Sequence, residues 1–216
     1  TELQREARNL LDKNLERIRN IAFKDIDLLP SSQISSLANP LVPEVQGNLN
    51  EGNLFKALSN MSKTSNLSSD ILKSLAYFSG EVEKNNTKVV VNPNMNPKVA
   101  GSFNKSTNTI EINPTTGFNN HVLLHEVIHS VVQNTVNNKS HPLRSQLNTL
   151  FNDVKNSLST AYGSTSLDEF IAETFSNVSF QKELATINLK GEPVSVLQRF
   201  YNSIVNFLNN IIFKKP

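Results

Sequence analysis

Two histidines four residues apart, His125 and His129 in the run Leu124-His125-Glu126-Val127-Ile128-His129, have the types and the spacing to grip one metal ion. An α-helix turns about 100° per residue, so four steps return a side chain to nearly the same face with a rise of about 6 Å. Neutral imidazole nitrogens suit Zn²⁺, and a catalytic zinc takes three protein ligands and leaves one position to water. Glu126 follows the first histidine and would lie beside that water rather than on the metal. Its carboxylate can take the water's proton during attack on a carbonyl, which is the arrangement of zinc-dependent peptidases. The competing reading is a histidine pair at the surface or satisfied by hydrogen bonds.

A third ligand is expected downstream on another helix, and the stretch Leu167-Asp168-Glu169-Phe170-Ile171-Ala172-Glu173-Thr174-Phe175 offers one. Glu169 and Glu173 are four apart and share a face, while Phe170, Ile171 and Phe175 point into a core. One carboxylate can bind metal while the other braces a ligand imidazole and fixes its tautomer. The same residues support a plainer reading. Ser166-x-x-Glu169 is also a capping box, in which the Glu169 side chain bonds the first amides of the helix.

The stretch from Tyr162 to Phe175, read together with the His125–His129 segment, resembles anthrax lethal factor-like gluzincin metallopeptidases and the peptidase domains embedded in large polyvalent proteins of phages and prophages. In those proteins a Tyr, a Glu-Phe and an Ala-Glu-x-Phe follow a His-Glu-x-x-His helix in this order, and the resemblance covers roughly residues 52 to 213. It implies Zn²⁺ held by His125, His129 and Glu169, Glu126 as general base, and Glu173 behind the ligands. It also implies that Tyr162, seven residues before Glu169, faces the metal and donates a hydrogen bond to the developing oxyanion or the leaving group. Without the resemblance, Tyr162 reads equally well as a surface tyrosine closing the preceding helix.

Two further histidines are expected to stay out of the chemistry. His121 extends the row of His125 and His129, but the drift and climb of each four-residue step keep three such side chains from one ion, so it reads as a partly solvated residue at the helix start. His141 precedes Pro142 in a polar connection and is assigned no role.

The helix that must carry the histidines spans Asn119 to Val136, free of Pro and Gly, with apolar ridges through Val122, Leu123, Val127 and Val131 and through Leu124, Ile128 and Val132. Leu3, Ala7, Leu10, Leu11, Leu15, Ile18 and Ile21 predict an amphipathic helix within residues 1–29 that docks on another part of a larger protein. Residues 30–52, with Pro40, Pro43 and little periodicity, read as a linker or strap, and residues 53–213 as the metallopeptidase domain. Within that domain the pattern predicts helices over Leu54–Ser62, Ser68–Glu83, Leu143–Thr160 and from Glu169 to about Val178. Strands are expected over Lys88–Asn92, Val99–Phe103 and Thr109–Asn113. The last is the candidate edge for an extended substrate, the alternative being a covering strand without that role. The apolar run Val194–Phe213 is interrupted by polar residues at helical spacing and reads as an amphipathic helix rather than a membrane span.

The composition suits a soluble enzyme: 216 residues, 38% hydrophobic and 19% charged, with a formal net charge of +2 too small to demand a nucleic-acid or membrane partner. With no cysteine, histidine and carboxylate are the available zinc ligands. The chain begins Thr1-Glu2 and shows no secretory signal, which reads as a processed product or an excised piece and leaves the location open between a virion and a host cytoplasm. The fold class expected is α+β and zincin-like, mainly helical with a small antiparallel or mixed sheet over the active-site helix. The function expected is a zinc endopeptidase acting on protein or peptide substrates, with an inactive virion module or a host-directed toxin protease as the alternatives.

Overall fold

Period-two burial builds the sheet. In β4 (Thr109–Ile112) Ile110 and Ile112 are fully buried while Thr109 and Glu111 are not, and the preceding strand β3 (Val99–Asn104) joins it antiparallel through a turn at Asn104–Asn108. Asn104 Oδ1 accepts from the amides of Ser106 and Thr107, and Asn108 takes the left-handed conformation at φ 50°, the local chemistry that makes asparagine a turn residue. Strand β2 (Lys88–Val91) pairs parallel with β4, and β1 (Ile26–Pro30) pairs antiparallel with β3, giving a mixed sheet in the order β1-β3-β4-β2. The computed structural model describes residues 26–64, 69–159, 162–189, 191 and 193–213.

Helices α1 (Pro43–Asn50), α2 (Leu54–Thr64) and α3 (Ser69–Lys84) precede β2, and α4 (Asn120–Asn137) follows β4. After it come α5 (Pro142–Val154), α6 (Leu167–Ser176), α7 (Val178–Thr186) and α8 (Val196–Phe213). The architecture is α+β, largely helical. Helix α4 is its axis, packed on β3 and β4 on one side and on α6 on the other. Val122, Leu123, Leu124, Val127 and Ile128 are all at most 1% exposed, and His121, His125, Glu126 and His129 are buried too, so α4 is enclosed on every side with a polar strip among its apolar faces. Helix α6 is fixed in turn by edge-to-face rings: Phe170 meets Phe180 and Phe200 at 6.0 Å, and Phe175 meets Phe78 at 5.2 Å and Phe200 at 5.1 Å. The Glu169 and Glu173 side chains are therefore presented from a rigid support.

Several expectations need correction. Thr109–Ile112 is an interior strand, flanked by β3 and β2, because the Val89–Val91 run found its pairing partner there; among the described strands the edges are β1 and β2. Ile26–Pro30 is extended rather than the end of a helix, and residues 1–25 lie outside the described residues, so the expected N-terminal helix falls there. The free edge of β3 supplies the tertiary pairing that fixes this segment as a strand, and burying Leu29 at 0% exposure adds about 1.5–3 kcal/mol to the attachment.

Residues 30–52 are not a loose linker. Pro43 opens α1 at a position where its missing N–H costs nothing, and Leu41, Val45 and Leu49 enter the core. The strap is pinned to the start of α4 by Leu41 N–H on Phe118 O and by Asn120 N–H on Asn39 O. The helix expected to run to Thr160 stops at Val154 and passes into a 3₁₀ turn at Lys155–Ser157. Asn177 then ends α6 and caps α7 by accepting from the amides of Ser179 and Phe180. Among the described residues no helix is long and apolar enough to cross a membrane.

Candidate metal centre

The first and second turns of α6 face the middle of α4. His125 Nε2 and His129 Nε2 are 3.0 Å apart, and Glu169 Oε2 lies 3.2 Å from the first and 3.5 Å from the second. Ligands of a tetrahedral ion at about 2.0–2.1 Å stand about 3.3–3.4 Å from one another, so this triangle has the size of one face of such a shell. The donor set of two imidazoles and a carboxylate fits a divalent ion, and Glu169 Oε2 is buried with no hydrogen bond aligned on it. Two imidazoles and a carboxylate this close are held together either by shared protons or by a cation that joins their lone pairs. Of the capping box only the Ser166 half is present: its Oγ accepts from the Glu169 amide at 3.1 Å, while the Glu169 carboxylate turns to the imidazoles instead of the first amides. Backbone and side chain of one residue do separate work.

A second group, His121, His125 and Glu173, also has metal-ligand proximity. Counting hydrogens shows it already occupied. Ser35 N–H donates to His121 Nδ1 at 2.9 Å, which leaves the proton on Nε2 to donate to Glu173 Oε1 at 3.0 Å. Asn177 Nδ2 donates to Glu173 Oε2 at 2.6 Å, and His125 Nδ1 stands 3.0 Å from Oε1. With the Nδ1 of His125 turned to this carboxylate, its Nε2 lone pair faces the first group. The expectation that His121 is partly solvated is overturned: it is fully buried, because the strap at Ser35 and the side chain of Glu173 close over the start of α4.

Glu126 is fully buried, and neither carboxylate oxygen has a hydrogen-bond partner. Burial pushes its carboxyl up to about 8, opposed by His125 and assisted by the charges of Glu169 and Asp27. Gly101 on β3 makes room for it, since a Cβ there would come within 2.8 Å of Glu126 Oε1 and of Val122 Cγ1. Tyr162, in the 3₁₀ turn Tyr162–Ser164, lies with its ring centroid 5.9 Å from that of His125 and donates its hydroxyl to Leu28 O at 2.8 Å. Burial first, then the charges of Glu169 and Glu126, raise its phenol above the ordinary range, so it remains a donor.

His129 has a different support. Asp27 Oδ2 on β1 faces its Nδ1 at 3.8 Å, beyond hydrogen-bond length but close enough to orient the ring, and Lys105 Nζ bridges Asp27 at 3.2 Å and Asp168 at 3.6 Å. Sequence reasoning passed over Asp27 and gave His121 the wrong surroundings. The row His121, His125, His129 at four-residue steps was a usable signal for a buried polar ridge; nothing local marks Asp27.

These charges predict the pH response of the metal-free protein. Burial opposes charge on His125, but the nearby carboxylates of Glu169 and Glu173, at 3.2 and 3.0 Å, and the charge of Glu126 raise it to about 10. Its contribution to stability is full below the ordinary histidine value near 6.5 and is lost as pH rises toward 10. Glu173 is lowered to about 2, its burial outweighed by hydrogen bonds to His121 and His125, and Glu169 is lowered for the like reason by His125 and His129. Their contribution is full above about 4.5 and lost as acid protonates them. Thermal denaturation in excess chelator is therefore expected to give the highest Tm between about pH 4.5 and 6.5, falling on both sides. A Tm flat from pH 6 to 9 would show that the imidazole and carboxylates are not coupled. A search of family models, of curated proteins and of solved structures finds no match to this chain.

Proposed function

We propose that the chain is a zinc-dependent endopeptidase with a zincin-like fold, of the gluzincin type that the sequence resembles. The observation that carries the reading is the triangle of His125 Nε2, His129 Nε2 and Glu169 Oε2 with an unpaired, buried Glu126 one residue along the same helix. Two imidazoles and one carboxylate favour zinc among the common divalent ions and match the ligand set of hydrolytic sites, which leave a position open. When bound there, the ion supplies Lewis acidity for the scissile carbonyl and lowers the pKa of attacking water.

The chain's own residues account for the remaining work. Glu126 takes a proton from the attacking water and returns it to the leaving nitrogen. Tyr162 donates its hydroxyl to the carbonyl oxygen as negative charge grows there. Glu173 holds the His125 imidazole in orientation from its Nδ1 side. Zinc-loaded protein incubated with a mixed peptide library is expected to yield internal cleavages that cease on chelation and return with added zinc. Stoichiometric zinc uptake without any cleavage would sink the peptidase reading and favour a module that keeps the site but cleaves nothing.

A further inference from the structure

A segment of the chain's own backbone lies against the candidate centre. His125, Glu126 and His129 are 1%, 0% and 2% exposed, although a peptidase must bring an extended backbone to them. Such a backbone is already there. Strand β1 runs antiparallel to β3 at the sheet margin, with Leu28 opposite Ser102 and Leu29 opposite Gly101. An extended peptide added to a sheet edge is a common mode of polypeptide recognition, and β1 has that relation to β3.

Three contacts locate one peptide bond of β1 against the centre. The Tyr162 hydroxyl donates to the carbonyl oxygen of Leu28 at 2.8 Å, across 134 residues of sequence. Leu29 is in register with Gly101, the residue against which the Glu126 carboxylate packs so closely that no Cβ fits. Asp27, on the other side, reaches toward His129 Nδ1. Tyr162 thus touches the Leu28 carbonyl directly, while Glu126 lies against the register partner of Leu29 and His129 faces the side chain of Asp27.

We propose that β1 occupies the substrate groove in cis and that the centre hydrolyses the Leu28–Leu29 bond of its own chain. The inference rests on the peptidase reading given above. Water oxygen bonds to the Leu28 carbonyl carbon while Glu126 accepts its proton and Tyr162 holds the carbonyl oxygen. The carbon–nitrogen bond then breaks, the Leu29 nitrogen takes up both protons of the water, one by way of Glu126, and one water is consumed to give a Leu28 carboxylate and a Leu29 ammonium. Side-chain burial around the bond defines the substrate class. Leu29 is fully buried and Leu28 is 40% exposed, so the groove selects an apolar residue after the cut and tolerates a varied one before it. The irregularity in register between Leu29 and Pro30 ends the paired segment just beyond the bond. Release of the portion ahead of Leu29 frees that part of the β3 edge for an extended segment of another protein.

The full chain, prepared in chelator and then given Zn²⁺, tests this by intact mass and N-terminal sequencing. A single scission between Leu28 and Leu29 is expected, with a first-order rate constant unchanged by tenfold dilution. Glu126→Gln should slow it by about 10³-fold and Tyr162→Phe by about 10²-fold. Two outcomes overturn the proposal alone: a wild-type chain that stays whole while cutting external peptides, or a rate that scales with protein concentration. A zinc-loaded chain that cuts neither itself nor any peptide overturns the peptidase reading, and the proposal with it.

Discussion

Glu126→Gln is expected to lower kcat/KM for peptide hydrolysis by about 10³-fold with zinc content unchanged, as general acid–base catalysis typically contributes 10²–10⁴-fold. The substitution is nearly isosteric, so the close packing against Gly101 and Val122 survives. The three metal-facing donors belong to other residues and keep their separations of 3.0, 3.2 and 3.5 Å. What disappears is the capacity to take and return a proton. A stability measurement on the same variant separates this account from structural damage. Burial raises the Glu126 carboxyl to about 8, so charging it costs the folded state progressively as pH rises from about 4.5 toward 8. The glutamine variant escapes that cost and should melt at a higher temperature than the parent in metal-free buffer at pH 8–9. Undiminished hydrolysis would remove Glu126 from the mechanism. Lost hydrolysis together with lost zinc would mean that the side chain serves the site's structure.

The helix carrying His125, Glu126 and His129 was legible because its geometry is local: four-residue spacing on a segment without Pro or Gly dictates one face whatever packs on it. Glu169 was legible as a choice between cap and ligand; its amide is capped by Ser166 Oγ, and its carboxylate lies beside the imidazoles and not on the helix amides. The surroundings of His121 were hidden by distance. Its two partners are Ser35 and Glu173, and no local pattern reports a contact across 86 or 52 residues. The sheet margin was hidden for the same reason. Thr109–Ile112 alternates as an edge strand does, and only parallel pairing with Val89–Val91 encloses it. Ile26-Asp27-Leu28-Leu29 carries too little periodicity to announce a strand, and the pairing with β3 decides its conformation.

Glu169→Ala is expected to reduce zinc affinity further than Glu173→Gln does, and the contrast tests how labour is divided between the two carboxylates. Removing Glu169 leaves two neutral imidazoles, with no negative ligand to balance a divalent ion in a site whose histidines are 1% and 2% exposed. Replacing Glu173 leaves all three donors but loosens the contact of His125 Nδ1 with Oε1, a change of the kind that costs about 10–100-fold in metal affinity. The paired bonds from His121 Nε2 and Asn177 Nδ2 also lose a charged acceptor, so the glutamine variant should melt at a lower temperature even without metal. Competition with a chromophoric chelator measures both affinities. Loss of more than about 100-fold for Glu169→Ala, against a smaller loss for Glu173→Gln, is the expected order. Equal losses would make the two carboxylates interchangeable. A larger loss at Glu173 would move the ion to the His121, His125 and Glu173 group, where the Ser35 amide would then have to give up its hold on His121.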